Sequence, residues 1–159
     1  MDPLLQLLSG NARLTDHELA VMLGMDEAEV SNKIAEYEES GIIKGYTAIL
    51  DEDRVSNNTV SALIEVRVTP KLDYGFEEIA RRIAEYEEVE SVYLMSGGFD
   101  LAVFVNGRSF KDIALFVAKR LSILDSVVST ATHFMLSRYK QKGFLLGVEE
   151  KDERSEQFQ

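Results

Sequence analysis

The hydrophobic period of this chain changes once, and that change limits the architectures open to it. Up to about residue 58, apolar side chains recur at helical spacing. From Val60 they alternate instead, with Val60, Ala62, Ile64, Val66 and Val68 on one side of an extended segment. One period cannot serve both secondary structures, because a helix repeats every 3.6 residues and a strand every two. The chain therefore reads as two units joined at the polar stretch Ser56-Asn57-Asn58, with residues 1–58 helical and residues 59–148 built around a sheet. Beyond them, residues 149–159 are charged and polar and read as a disordered tail.

The first unit carries its own punctuation. Leu4, Leu7 and Leu8 give a first helix one apolar face. Thr15-Asp16-His17-Glu18 has the spacing of a capping box, in which the threonine hydroxyl bonds an amide and the glutamate reaches back. Leu19, Ala20 and Leu23 follow as the buried stripe of a second helix, with Gly24 as its left-handed stop. Asp26 and Glu29 repeat the start signal, and Val30, Ile34 and Tyr37 form the inner face of a third helix that Gly41 closes. Residues 42–50 are β-prone, and Asp51-Glu52-Asp53 makes a polar turn. Helix, tight turn, helix and strand in this order match a winged helix-turn-helix, although a generic three-helix bundle has the same pattern.

In the second unit Pro70 ends the first strand. Phe76, Ile79, Ala80 and Ile83 have helical spacing, residues 92–95 and 99–105 read as strands, and Asn106-Gly107 reads as a turn. Ser109 is placed to cap a helix bearing Ile113, Val117 and Leu121, and a long strand runs from Val127 to about Tyr139. The order β-α-β-β-α-β is the ferredoxin-like arrangement, so the expected class is α+β. The final strand has Val128, Phe134 and Leu136 on one side and Val127, Ala131 and Met135 on the other. Two apolar sides imply that the helix-free face is also covered, most simply by a second copy of the chain.

The stretch Ser96-Gly97-Gly98-Phe99-Asp100 lies between two of these strands. Paired glycines leave backbone amides open to approach, and the aspartate can accept from a cation or a turn amide. That combination suits a small zwitterion; a plain hairpin turn uses the same residues.

Composition narrows the function. With no cysteine there are no disulfides, thiolate metal sites or cysteine nucleophiles. No apolar run nears the ~20 residues of a membrane span, and no leader pattern opens the chain, so a cytoplasmic location without membrane association is expected. A net charge of −11 opposes non-specific attraction to nucleic acid. No metal-ligand spacing, nucleophile–base pair or phosphate loop stands out, so no cofactor is expected. His17 and His133, the two histidines, read as a surface residue near a cap and a strand residue.

In order along the chain, Ala12-Arg13-Leu14-Thr15 with Glu18-Leu19-Ala20, Glu38-Glu39-Ser40-Gly41-Ile42-Ile43-Lys44-Gly45-Tyr46, the glycine–aspartate loop, and Thr132-His133-Phe134-Met135-Leu136 with Tyr139-Lys140 resemble the Lrp/AsnC (feast/famine) transcriptional regulators. The likeness spans roughly residues 2–146. It implies a DNA-reading third helix with Ser31, Asn32 and Lys33, helped by Lys44. It also implies an effector pocket, typically for an amino acid, at Met95, Ser96, Gly97, Gly98 and Asp100, with Thr130 and Thr132 nearby. Dimers assembling into larger even-numbered rings, often octamers, are implied too.

The chain departs from that resemblance in charge. Residues 1–58 hold twelve acids and four bases, a balance of −8, and the third helix carries five glutamates and one lysine. A double-stranded DNA partner then needs Ser31, Asn32 and Lys33 to face it while the glutamates point away. The alternative is an effector-sensing assembly protein whose helix-turn-helix no longer reads DNA. A related branch that decarboxylates sirohaem-type tetrapyrroles supplies an enzyme reading, but the bases needed for a polycarboxylate substrate do not cluster before the effector loop.

Overall fold

The computed structural model describes residues 1–55, 59–69 and 75–147. The expected joint at 56–58, Pro70, residue 148 and the expected tail 149–159 lie outside the described residues. The chain packs as two compact units, Met1–Ile49 and a second beginning at Leu50.

The first unit is three helices: α1 (Pro3–Gly10), α2 (Asp16–Leu23) and α3 (Glu27–Glu39). Each begins at a capping side chain. The Asp2 carboxylate accepts from the Leu4 amide, and Asp26 accepts from Ala28. At α2 the box is complete. The Thr15 hydroxyl accepts from the Glu18 amide at 3.2 Å, while Glu18 accepts from the Thr15 amide at 2.8 Å and hydroxyl at 3.0 Å. Gly24 closes α2 in the left-handed region, as expected. The inner faces meet in a small core of Leu4, Leu19, Ala20 and Val30, flanked by Leu7, Leu8, Leu23, Ile34 and Tyr37.

So few buried side chains make the caps matter. Thr15→Ala is expected to cost about 1 kcal/mol, read as a lower urea midpoint. The hydrogen bonds from the Thr15 amide and then its hydroxyl hold the Glu18 carboxyl below its ordinary range. The unfolded chain therefore binds that proton more readily. Glu18's contribution is complete above the ordinary glutamate range and fades as pH falls through the lowered value.

Residues 42–50 contain no strand, contrary to the β-prone reading. A strand requires a partner for its ladder, and the following residues turn instead of returning: Arg54 donates to the Asp51 carbonyl, and Val55 to that of Glu52.

The second unit is a four-stranded antiparallel sheet in the order β2-β3-β1-β4, with β1 (Val60–Val68), β2 (Val89–Leu94), β3 (Leu101–Gly107) and β4 (Val127–Phe134). Helices α4 (Glu77–Ala84) and α5 (Phe110–Phe116) cover one face, and a π-type turn, Val117–Leu121, extends α5. Alternation on β1 sends Ala62, Ile64, Val66 and Val68 into a core with Leu101, Val103 and Val105 of β3 and Ile79, Ile83, Ile113, Phe116 and Leu121 from the helical layer. Ser109 caps α5 by accepting from the Asp112 amide.

Three local expectations change. Asn106 and Gly107 are the last rungs of β3, paired with Ser61 and Val60, and do not form a turn. A Cβ on Gly107 would lie 2.9 Å from the Ile113 Cγ1, so close packing of α5 on the strand explains the glycine. The final strand ends at Phe134. The chain then forms a small hairpin of β5 (Lys140–Gln141) and β6 (Phe144–Leu145), turning at Lys142 (φ 45°) and Gly143 (φ 93°). Two successive positive φ values are the mark of a hairpin turn. Finally, β1 opposes Val127 with Val68 and Ser129 with Arg67, leaving Val128 in a bulge. The bulge puts Val127 on the core side with Phe134, so the two do not occupy opposite faces as alternation predicts.

On the helix-free face, Tyr93 stacks edge-on against Phe104 at 6.0 Å, and Leu63 lies opposite both Phe104 and His133. The His133 Nε2 lies 3.5 Å from the Glu65 carboxylate on the next strand.

Candidate functional site

Two places bear the residues marked in the sequence, one in each unit. On α3, burial of Val30, with Ile34 and Tyr37 half-buried, fixes the helix's rotation. Ala28, Ser31, Asn32 and Ala35, at i, i+3, i+4 and i+7, are all exposed and form one uncharged row of small side chains. Glutamates flank that row. Two of them have partners: Glu38 accepts from the Tyr46 hydroxyl at 2.8 Å, and Glu27 lies 3.3 Å from the His17 Nδ1. Partial burial and the bond to Glu38 push the Tyr46 phenol above its ordinary value.

The two expected cations are placed differently. Lys33 sits half-buried at the edge of the inner face, its Nζ 3.9 Å from the Asp2 carboxylate. Asp2 is the cap of α1, and its carboxyl is held low chiefly by the Leu4 amide. Lys44 is exposed but curls back, its Nζ 2.6 Å from where a Cβ on Gly41 would stand. That places an ammonium beside the C-terminal end of α3, where no basic residue lies in the last turn and where the helix dipole is negative. Ser31 and Asn32 therefore share the exposed row, Lys33 lies at its border, and Lys44 lies past the C-terminal end of the helix. Tyr46, the partner of Glu38, and Lys44 itself both lie beyond the end of the helix, where periodicity carries no signal.

In the second unit, Met95, Ser96, Gly97, Gly98 and Asp100 form one loop between β2 and β3. It closes with the Met95 amide donating to the Asp100 carbonyl at 2.8 Å. Gly97 has φ +140°, which side chains rarely adopt, whereas Gly98 has no such constraint; a Cβ at either would meet open space. Ser96, Gly97 and Gly98 are exposed, and Asp100 is half-buried.

Asp100 has a structural task that its spacing did not reveal. Its amide donates to the Val66 carbonyl at 3.1 Å, and one carboxylate oxygen accepts from the Val68 amide at 2.8 Å. The loop is thus pinned to the end of β1 where the bulge interrupts pairing with β4. Thr130 and Thr132 are not on this loop. They lie half-buried on β4, opposite Val66 and Ile64, in the row that faces the helices.

Among the described residues, no helix is long and apolar enough to cross a membrane, and no group of three or more potential ligand side chains could hold a metal.

Comparison with known proteins agrees with this division. The model of the Lrp/AsnC ligand binding domain matches residues 61–144, and that of a winged helix-turn-helix DNA-binding domain matches residues 4–44. An uncharacterised HTH-type transcriptional regulator of Bacillus subtilis, YugG, is 44% identical over 95% of this chain and 92% of its own length. A proline dehydrogenase transcriptional activator of Rhodobacter capsulatus is 31% identical over 82% of this chain and 84% of its own. Among solved structures, a transcriptional regulator of Neisseria meningitidis in complex with L-methionine superposes with a TM-score of 0.68 at 25% identity, covering 87% of this chain and 88% of that one. Both family domains, in the order and place of the two units described above, make this chain a member of the Lrp/AsnC family of transcriptional regulators, with a helix-turn-helix followed by a ligand-binding domain.

Proposed function

We propose that this regulator reads double-stranded DNA through the exposed row of α3 and answers to an amino acid bound at the loop 95–100. The observation that carries the effector reading is the loop's construction. Exposed glycine amides stand beside a carboxylate that the β1 amide fixes in place, so one element offers donors to a carboxylate and an acceptor to an ammonium. The relative solved with L-methionine supports the same ligand class.

The uncharged row supports the DNA reading. Asn32 can present its amide to base edges while Ser31 approaches a backbone phosphate, with Lys33 at the border of the row and Lys44 past the end of the helix. One such contact surface is weak, and assembly multiplies it through effective concentration. The half-exposed aromatic pair and Leu63 on the helix-free sheet face support a homodimer, from which octamers can form. In this reading the protein is cytoplasmic, needs no cofactor and does not engage membranes. Effector binding favours one assembly state, and that state differs in operator affinity.

Gly98→Val tests the effector site. The position has ordinary backbone and open space, so the fold is expected to be retained while the added isopropyl group fills the approach to the loop amides. Calorimetry with the amino acid that alters DNA binding should show at least tenfold weaker affinity at the loop. Unchanged affinity removes the effector from this loop. Asp100→Ala is a poorer test, because it also strips the Val68 amide of its acceptor, at a cost of about 1–3 kcal/mol.

A further inference from the structure

At the end of the sheet away from the glycine loop lies an open cavity of about 340 Å³, formed within the second unit. Its apolar wall includes Val55, Val60, Phe110 and Met135. Phe110 is set edge-on against Phe134 at 4.8 Å, which fixes its ring. The polar side is a connected chain. The Arg138 Nη1 donates to Glu52, and its Nη2 donates to the Ser61 hydroxyl at 2.6 Å. Ser61 donates to the Asn106 Oδ1 at 2.6 Å, and the Asn106 amide donates to Glu90 at 2.9 Å.

Ser61 is 6% exposed and is the buried polar residue of the described chain. Its hydroxyl holds one edge of the guanidinium against the sheet. The other edge is held by a carboxylate that comes not from a helix or strand but from the turn at 52–55. Arg138 is the cation of the cavity lining, and Asp53, also in the lining, has no hydrogen-bond or ion-pair partner among the described residues.

We infer that this cavity is a second amino-acid site, in which the ligand's carboxylate replaces Glu52 on Arg138, its ammonium meets Asp53 and its apolar side chain lies against Phe110 and Met135. A zwitterion fits better than a simple acid. Glu52 and Asp53 already outnumber Arg138, so a bare anion adds to an excess of negative charge, whereas a zwitterion leaves the balance unchanged. The volume suits a small ligand, and a planar guanidinium anchored on one edge is preorganised for a carboxylate on the other. Because Glu52 is the displaced group, occupancy loosens the turn at 52–55 from Arg138, while Asp51 still accepts from the Gly147 amide at 3.1 Å. The site is separate from the loop 95–100 and does not depend on it.

The test uses the full chain carrying Gly98→Val, in which the loop's affinity is at least tenfold weaker. Calorimetry with L-leucine and L-methionine is expected to show binding that Arg138→Met removes and that Glu52→Gln tightens at least threefold, because a neutral amide competes less well for the guanidinium. Each ligand should also speed tryptic cleavage after Arg54 in the turn that Glu52 anchors. No binding in the Gly98→Val chain overturns the inference and leaves the loop reading intact. Binding unaltered by Glu52→Gln overturns it too, and this variant keeps the test decisive if Arg138→Met fails to fold. Equal binding by the wild-type and Gly98→Val chains, lost on Arg138→Met, supports this site and removes the one at the loop.

Discussion

Asn32→Asp is expected to lower the affinity of the assembled protein for its operator by about ten- to a hundredfold, the worth of a lost side-chain contact to a base edge. The change is nearly isosteric and lies on an exposed row, so the helix and its core are undisturbed. What changes is charge: a carboxylate stands in the middle of the exposed uncharged row on α3, facing phosphates without a compensating cation. Gel shifts across a salt series measure the effect. Added salt should narrow the gap between the two proteins, because screening relieves the new repulsion. A charge-conserving change at an acidic border, Glu36→Asp, should leave affinity within about twofold, since it adds no charge to the row. Equal affinities for Asn32→Asp and the parent would remove α3's outer row from the DNA interface.

The second large effect is on stability. Ile64→Ala is expected to destabilise the second unit by about 2–5 kcal/mol, through lost burial and the cavity left behind. Ile64 is fully buried at the middle of β1, between Val103 of β3 and Thr132 of β4. Its neighbour along the strand, Glu65, faces the other way, and Glu65→Gln should alter the unfolding free energy by less than about 0.5 kcal/mol. Urea denaturation of the two variants separates the faces of the sheet directly. Similar losses from both would mean that the register of β1 is misassigned by one residue.

Much of this architecture was legible because local signals and tertiary packing agree. The caps at Thr15 and Ser109 and the stop at Gly24 each depend on neighbours a few residues away, and each was read correctly from spacing. Alternation on β1 named four core residues for the same reason. What was not legible depends on partners distant in the chain. The bulge that moves Val127 onto the core face arises from pairing with Arg67 and Val68, and nothing near Val127 announces it. Residues 42–50 have β propensity but pair with no strand among the described residues. The hairpin after β4 was missed because Lys142 shares a turn usually marked by asparagine or aspartate.

The sites divide in the same way. The glycine–aspartate loop is contiguous in sequence, so its residues were gathered at once. The bond from Asp100 to the Val68 amide crosses 32 residues and gives the aspartate a positioning role that spacing alone could not show. Arg138 and Glu52 are 86 residues apart, and neither belongs to a recognisable motif. On α3, sequence placed Lys33 among the DNA-facing residues, whereas helix rotation puts it at the border beside Asp2.

The central claim, that an acidic helix-turn-helix still reads DNA under effector control, is tested most directly by selecting genomic DNA fragments with the purified protein at low salt, with and without a pool of amino acids. Enrichment of a recurring palindromic sequence is the expected result, as a two-fold assembly requires, with the amino acids changing its extent. No enrichment in either condition would contradict it, and would make the glutamates of α3 the mark of a ligand-sensing assembly protein that no longer reads DNA.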